Sequence, residues 1–378
     1  ARLGGAGAGG YGLEQFRQWA SADSKRALVV LAGTADEDEA LASLSSVPAE
    51  LATASSRCLR EGGTSNLLEV LGSLGHWLDH GQLQLPQVHA VEDPKAHDWR
   101  DDVGPRVGVI LYRALLQSGD LALPEALLDS LRTQGLAPRA LWVSSLRDPG
   151  VQRGTLDLLQ REQVAAVVCT TSFASVQFAE AGLGAPLWDA LGVPVFQLLC
   201  STQTQEAWSA SPIGLSSLDL TLQVAMPELD GRISTRVGAF KELSKADARL
   251  ATALHRYLPE RERLDWVAQL VQRWCSLRET PAADRRLALV LANYPTRNAR
   301  LANGVGLDTP ASAAAMLQWL RQAGYGLPAE LPSDGDALIQ ALLAGRTNDP
   351  ESTHLRALDH LPLADYQAWF DGIPAAAR

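Results

Sequence analysis

No apolar run in this 378-residue sequence approaches the roughly 20 residues that a membrane-spanning helix needs, so a helical membrane span is not expected. Cysteine is scarce: Cys58, Cys169, Cys200 and Cys275, with no C-x-x-C pair among them. That spacing argues against a redox pair and predicts reduced, buried thiols in a cytoplasmic protein. Positive charge is in deficit. Lys and Arg number 33 against 43 Asp and Glu, giving a net charge of −10 and a pI near 5.2. An electrostatic grip on nucleic acid or an anionic membrane is therefore disfavoured, although a local basic patch stays open. The catalytic signatures that announce themselves by spacing are missing too. There is no G-x-G-x-x-G after a strand, no G-x-x-x-x-G-K-[ST], no H-E-x-x-H and no G-x-S-x-G, and no internal repeat. Without a phosphate loop, the chain by itself is expected to hydrolyse no ATP. The start "ARLGGAGAGG" has neither an initiator Met nor a signal pattern, and "FDGIPAAAR" offers no closing element. The expectation is a piece of a larger polypeptide.

What is present is apolar material, 46% of the residues, distributed in short Val-, Leu- and Ile-rich runs that alternate with helical patterns. The runs are "ALVVLA" (27–32), "RVGVILY" (106–112), "RALWV" (139–143), "VAAVVC" (164–169), "VPVFQLLC" (193–200) and "RRLALVLANYP" (285–295). Such alternation predicts an α/β fold of tandem strand-helix units forming parallel sheets, flavodoxin-like or Rossmann-like, with strands covered on both faces. After the first run, the acids of "DEDEALASL" suit a helix N-terminus. A helix is predicted near 124–134, with Pro124 in its first turn and Gly135 at its stop, and another is predicted from Pro310, capped by Thr309 and ended by Gly324. Helical patterns dominate 245–278, a mainly helical excursion. The expected organisation is an incomplete α/β unit over 1–82, a Pro-broken polar linker over 83–104 and an α/β domain over 105–200. An inserted segment over 201–285 and a further α/β unit with a helical end over 286–378 complete it.

Ligands of parallel sheets bind beyond the strand carboxyl ends. Here those ends carry "YRALLQSGD" (112–120), "SSLRDPG" (144–150), "TTSFAS" (170–175), "STQTQEAW" (201–208) and "NYPTRN" (293–298). Gln203 and Trp208 suit the wall of a pocket for a polar-edged planar ligand; the pattern alone favours an ordinary helix start. Tyr112 and Arg113 follow a strand, where an Arg either grips a carboxylate through paired hydrogen bonds or lies along a helix start. The stretch "VAMPELDGRIST" (224–235) is sharper. If extended, it places Glu228 and Asp230 on one side, able to accept protons or bind a divalent cation. The alternative is a turn in which Asp230 bonds nearby backbone and Glu228 pairs with Arg232 or Arg236. His76 and His80, four residues apart, make half a metal site at most.

Four stretches carry a family resemblance. "PRVGVILYRALLQSGD", "VSSLRDP", "EAWSASPIGLSSLDLTLQVAMPELDGRISTRVGAFK" and "RRLALVLANYPTRNARLANGVGLDTPASAAAMLQWLRQAGYGL" together resemble the large CobN subunits of aerobic cobaltochelatases. The related magnesium chelatase H subunits share the "PELDG" region, while "GRISTR…FK" looks more like CobN. The resemblance runs from about residue 11 to 326 and more loosely beyond. It implies a cytoplasmic, tetrapyrrole-binding ligase subunit of cobalamin biosynthesis that inserts Co²⁺ into hydrogenobyrinic acid a,c-diamide. It also implies that ATP and Mg²⁺ are used by AAA+ partners, CobS and CobT, and are not bound here. On that basis Glu228 and Asp230 are expected to deliver metal or accept ring protons. Gln203, Trp208, Arg232, Tyr112 and Arg113 are expected to hold the substrate. Two alternatives stay open: a magnesium chelatase H subunit inserting Mg²⁺ into protoporphyrin IX, and a non-catalytic binding or scaffold module.

Overall fold

A computed structural model describes residues 2–3, 12–32, 39–179, 182–184, 186–247, 252–292, 298, 301–347 and 349–378. The chain divides into two compact units, Ala1–Cys275 and Ser276–Arg378.

The first unit is built on a seven-stranded sheet. Its strands are β1 (Lys95–His97), β2 (Arg106–Tyr112), β3 (Ala137–Val143), β4 (Ala166–Cys169), β5 (Val195–Ser201), β6 (Ile233–Asp247) and β7 (Thr252–Pro259). In spatial order they run β7-β6-β5-β4-β2-β3-β1. The five inner strands are parallel, while the outer strands β7 and β1 pair antiparallel. The parallel order β3-β2-β4-β5-β6 is the flavodoxin-like one, so the α/β expectation holds. After β2 the chain moves to one side, to β3, and then returns past β2 to β4. In open α/β sheets such a reversal marks the place where ligands bind, here outside the carboxyl ends of β2 and β4.

The two faces of the sheet are covered because alternate residues carry apolar side chains to each. Val107, Val109 and Leu111 of β2 pack with helices Ala122–Thr133 and Arg261–Glu279. Ile110 faces the other way and joins Val151 and Leu159 of helix Pro149–Arg161 and Trp188 of helix Pro186–Leu191. Gly108 is needed for this approach. A Cβ there would lie 2.7 Å from a Leu159 methyl. All seven residues of β3 and of β5 are buried, as expected for parallel strands sandwiched between helices.

Several boundaries differ from the sequence reading. The segment 201–285 is no insertion. Residues 233–247 and 252–259 supply β6 and β7, which complete the sheet, the stretch between β5 and β6 is a helical crossover, and the expected helical pattern appears as Arg261–Glu279. Lys, Glu, Ala and Leu in "FKELSKAD" favour helix locally, but antiparallel pairing with β7 overrides that preference. The linker 83–104 contains β1, an edge strand on β3. "ALVVLA" contributes only Leu31–Ala32, paired with Arg2–Leu3, and the acids at 36–38 lie outside the described residues.

In the second unit, helices Thr309–Gln322 and Gly335–Leu343 bury Ala313, Ala314 and Leu338. The first helix is capped by Asp308, whose carboxylate accepts from Ala311 N, rather than by Thr309. Residues 285–292, predicted as a strand, form none and are largely exposed. A strand exists only where a neighbour supplies its ladder of hydrogen bonds, and among the described residues none does so here. Most of "NYPTRN" lies outside the described residues.

Candidate functional site

The crossover from β5 to β6 runs through three consecutive helical segments. They are Ser217–Leu220 (α), Thr221–Ala225 (π) and Met226–Leu229 (α). Ser216 caps the first by accepting from Asp219 N. "PELDGR" then spells the stop. Gly231 N donates to Glu228 O at 3.0 Å and Arg232 N to Pro227 O at 3.3 Å, with Gly231 at φ +73°. This is the six-to-one and five-to-two pattern of a Schellman cap, which places a glycine at the left-handed position.

Because "MPEL" is helical, the two acids do not share a side. Glu228 is exposed, and its carboxylate accepts from Ser234 Oγ at 3.1 Å. Asp230 turns inward, with a fully buried side chain. Its oxygens accept from Ser175 N (2.7 Å), Ser175 Oγ (2.8 Å), Val176 N (2.9 Å), Trp188 Nε1 (3.4 Å) and Arg232 Nη2 (2.6 Å). Five donor groups occupy this carboxylate. The expected pair of adjacent acids facing one ion is thus corrected. Among the described residues, no three His, Cys, Asp or Glu side chains converge as a metal site.

Arg232 is equally buried and does not project to the surface to meet a ligand. Its Nη1 donates to Cys169 Sγ (3.3 Å), Thr171 O (3.0 Å) and Gln197 Oε1 (3.0 Å), and its Nη2 to Phe173 O (3.2 Å). The guanidinium lies 5.4 Å from the centre of the Trp188 ring. A buried charge is tolerated only when paired and hydrogen-bonded, and this pair meets both conditions.

Together these residues brace the loop 171–176 that follows β4. Further fastenings come from Gln152 Nε2 to Ser175 O (3.0 Å), Gln197 Nε2 to Thr171 O (3.2 Å) and Phe173 N to Leu222 O (2.9 Å). Tyr112, at the end of β2, fastens the loop from the other side by donating to Ser172 O at 3.0 Å. Burial, with a smaller contribution from Cys169, pushes the Tyr112 phenol up to about 12. The same crossover also ties down the end of β5. Asp219 accepts from Thr202 N at 2.9 Å, and Gln223 Oε1 accepts from Cys200 N at 2.6 Å.

The remaining candidates are scattered around this brace. Trp208 is half-buried against Phe240, ring centres 5.3 Å apart, with Arg263 over its face. Its position is that of a packing residue. Arg113 is held between Asp93 (3.6 Å) and Glu61 (4.0 Å), so its charge is already answered. Arg236 pairs with Glu262 at 3.0 Å and lies over Trp266. Gln203 follows β5, and its Oε1 is buried without a partner among the described residues. His76 and His80 touch ring to ring at 4.8 Å.

Asp219, Gln223, Ser175 and Phe173 were not singled out from sequence. A signal existed for two of them. Asp219 and Gln223 stand four apart inside the apolar run "LDLTLQVAM", a spacing that puts two polar groups on one buried helical face.

Comparison with known proteins agrees with the resemblance. The aerobic cobaltochelatase subunit CobN of Pseudomonas aeruginosa is 38% identical over 99% of this chain and 31% of that protein. The chloroplastic magnesium-chelatase subunit ChlH of Oryza sativa is 26% identical over 71% of this chain and 19% of that protein. Among solved structures, the catalytic subunit of cobaltochelatase from Mycobacterium tuberculosis matches with a TM-score of 0.71 and 31% identity, over 99% of this chain and 31% of that one. The chain therefore spans about a third of the length of its cobaltochelatase relatives. Residues 56–378 match the family described as CobN/Magnesium Chelatase, and the chain belongs to that family.

Proposed function

We propose that this chain is part of the large, tetrapyrrole- and metal-handling subunit of an ATP-dependent cobaltochelatase acting in the cytoplasm. Its substrates on this reading are Co²⁺ and hydrogenobyrinic acid a,c-diamide. ATP is hydrolysed with Mg²⁺ by separate AAA+ subunits of the CobS and CobT kind, in keeping with a sequence that has no phosphate loop. The observation that carries the choice of cobalt is the identity to the two kinds of relative, 38% across 99% of the chain for the cobaltochelatase subunit against 26% across 71% for the magnesium-chelatase subunit.

Insertion makes three chemical demands. The hydrated ion must exchange water for protein oxygen, the ring N–H protons must leave, and the macrocycle must be held while both happen. Of the two acids of "PELDG", Glu228 has the exposed carboxylate suited to the first two demands, and Asp230 acts by bracing the strand-end loop with Arg232. Tyr112 and Gln203, at the ends of β2 and β5, are the polar candidates for the third demand. Trp208 and Arg113 serve by packing and by ion pairing.

The test is a titration of the complete subunit with the tetrapyrrole, followed by visible absorption, and then addition of Co²⁺, ATP and the partner subunits. Wild type is expected to bind the ring and metallate it, and Glu228→Gln to bind without metallation. Metallation of protoporphyrin IX by Mg²⁺ in place of the cobalt reaction would overturn the metal assignment. Normal insertion by Glu228→Gln would remove that carboxylate from the chemistry.

A further inference from the structure

Phe173 is held in a conformation that its side chain disfavours. Its φ is +66°, a left-handed backbone that bulky residues rarely adopt and that persists only where the surroundings impose it. The imposition is visible. Phe173 N donates to Leu222 O at 2.9 Å, its carbonyl accepts from Arg232 at 3.2 Å, and its neighbours are fastened by Tyr112, Gln197 and Asp230. Yet the residue so positioned is 41% exposed. Glycine would occupy this backbone without strain, so packing of the loop gives no account of a large aromatic side chain here. The location gives one. The loop follows β4 at the reversal of strand order, where open parallel sheets take their ligands.

We propose that Phe173 is a binding residue for the face of the tetrapyrrole, presented by the braced loop 171–176 at the carboxyl ends of β2 and β4. The inference rests on the chelatase reading above. The conjugated inner part of the macrocycle packs well on an aromatic residue whose loop is already braced, because little loop freedom remains to be lost on binding. A rigid loop also gives the macrocycle one defined seat while the metal approaches its other face.

Phe173→Ala, Phe173→Gly and Phe173→Tyr in the complete subunit test this, with tetrapyrrole affinity read by visible absorption and folding by thermal midpoint. Both Ala and Gly are expected to weaken binding about tenfold or more, and Tyr to stay within about twofold. The thermal midpoint of the Gly variant should equal or exceed that of wild type, since the left-handed strain is gone. Affinities within about twofold of wild type for both the Ala and the Gly variants would overturn the proposal while leaving the chelatase reading standing. A wild-type subunit that binds no tetrapyrrole would overturn both.

Discussion

Asp230→Asn separates a bracing carboxylate from a surface one. The substitution keeps the shape of the side chain and removes its charge. Arg232, whose side chain is fully buried, would then hold an uncompensated cation in the interior. Breaking one partner of such a pair costs about 3–5 kcal/mol. The new amide also turns an N–H₂ toward a ring of N–H and O–H donors, which adds a penalty of about 1–3 kcal/mol. The two effects share atoms and do not add fully, so the working figure is about 4 kcal/mol, a large fraction of the roughly 5–15 kcal/mol that holds a domain folded. At about 2–4 °C per kcal/mol for a domain of this class, the midpoint of the first unit should fall by about 8–16 °C. Calorimetry or urea denaturation followed by tryptophan fluorescence reads the loss. Hydrogen exchange should show the amides of Ser175 and Val176, both donors to Asp230, losing protection. Glu228→Gln, two residues away, should stay within about 0.5 kcal/mol, as surface changes do. In a double-mutant cycle, removing both charges should cost less than the sum of the single changes by about 0.5–3 kcal/mol. If Asp230→Asn costs less than about 1 kcal/mol, the bracing role is wrong.

Two further predictions concern buried titratable groups. All four cysteines are buried, and burial pushes the Cys200 thiol up to about 12, so Ellman's reagent should find no fast-reacting thiol in the native chain and four after unfolding in guanidinium; a thiol titrating within minutes under native conditions would contradict the structure. The folded-state value of Tyr112, raised to about 12 by burial, lies above the unfolded value of about 10, so the folded state keeps its proton longer. Its stabilising contribution, including the Ser172 bond of about 1 kcal/mol, should be complete below pH 10 and decline as pH rises toward 12. The stability difference between wild type and Tyr112→Phe should shrink over that interval, and a difference that grows instead would refute the assignment.

Legibility in the sequence followed the number of neighbours an element has. The inner strands β2 to β5 are covered on both faces, so their residues form unbroken apolar runs that can be read without knowing the partner. "RVGVILY" is recovered residue for residue. Toward the sheet edge the relation weakens. The polar half of β6 and the whole of β7 sit in a hairpin whose composition suits helix, and only pairing identifies them. "RRLALVLA" shows the converse: an apolar run with strand character that has no ladder among the described residues.

The charged corner at 228–236 illustrates why a site is harder to read than a strand. Two acids and two bases within nine residues invite the idea of one cluster. Backbone geometry disperses them instead. A helical last turn followed by a Schellman cap rotates Glu228 outward to Ser234, Asp230 inward to Ser175 and Arg232 beneath the β4 loop, and β6 then sends Arg236 to Glu262. Whether adjacent charges act together depends on the period of the backbone that carries them, and the proline and glycine that mark the corner give its ends without its sense of rotation. The chemical consequence is specific. A buried, multiply hydrogen-bonded ion pair inside the fold is poorly placed to hand over a metal, but it is well placed to stiffen a loop 54 to 61 residues away in sequence. Such stiffness lowers the ordering cost of binding a large rigid ring, which connects an interior Asp–Arg pair to an exposed phenylalanine.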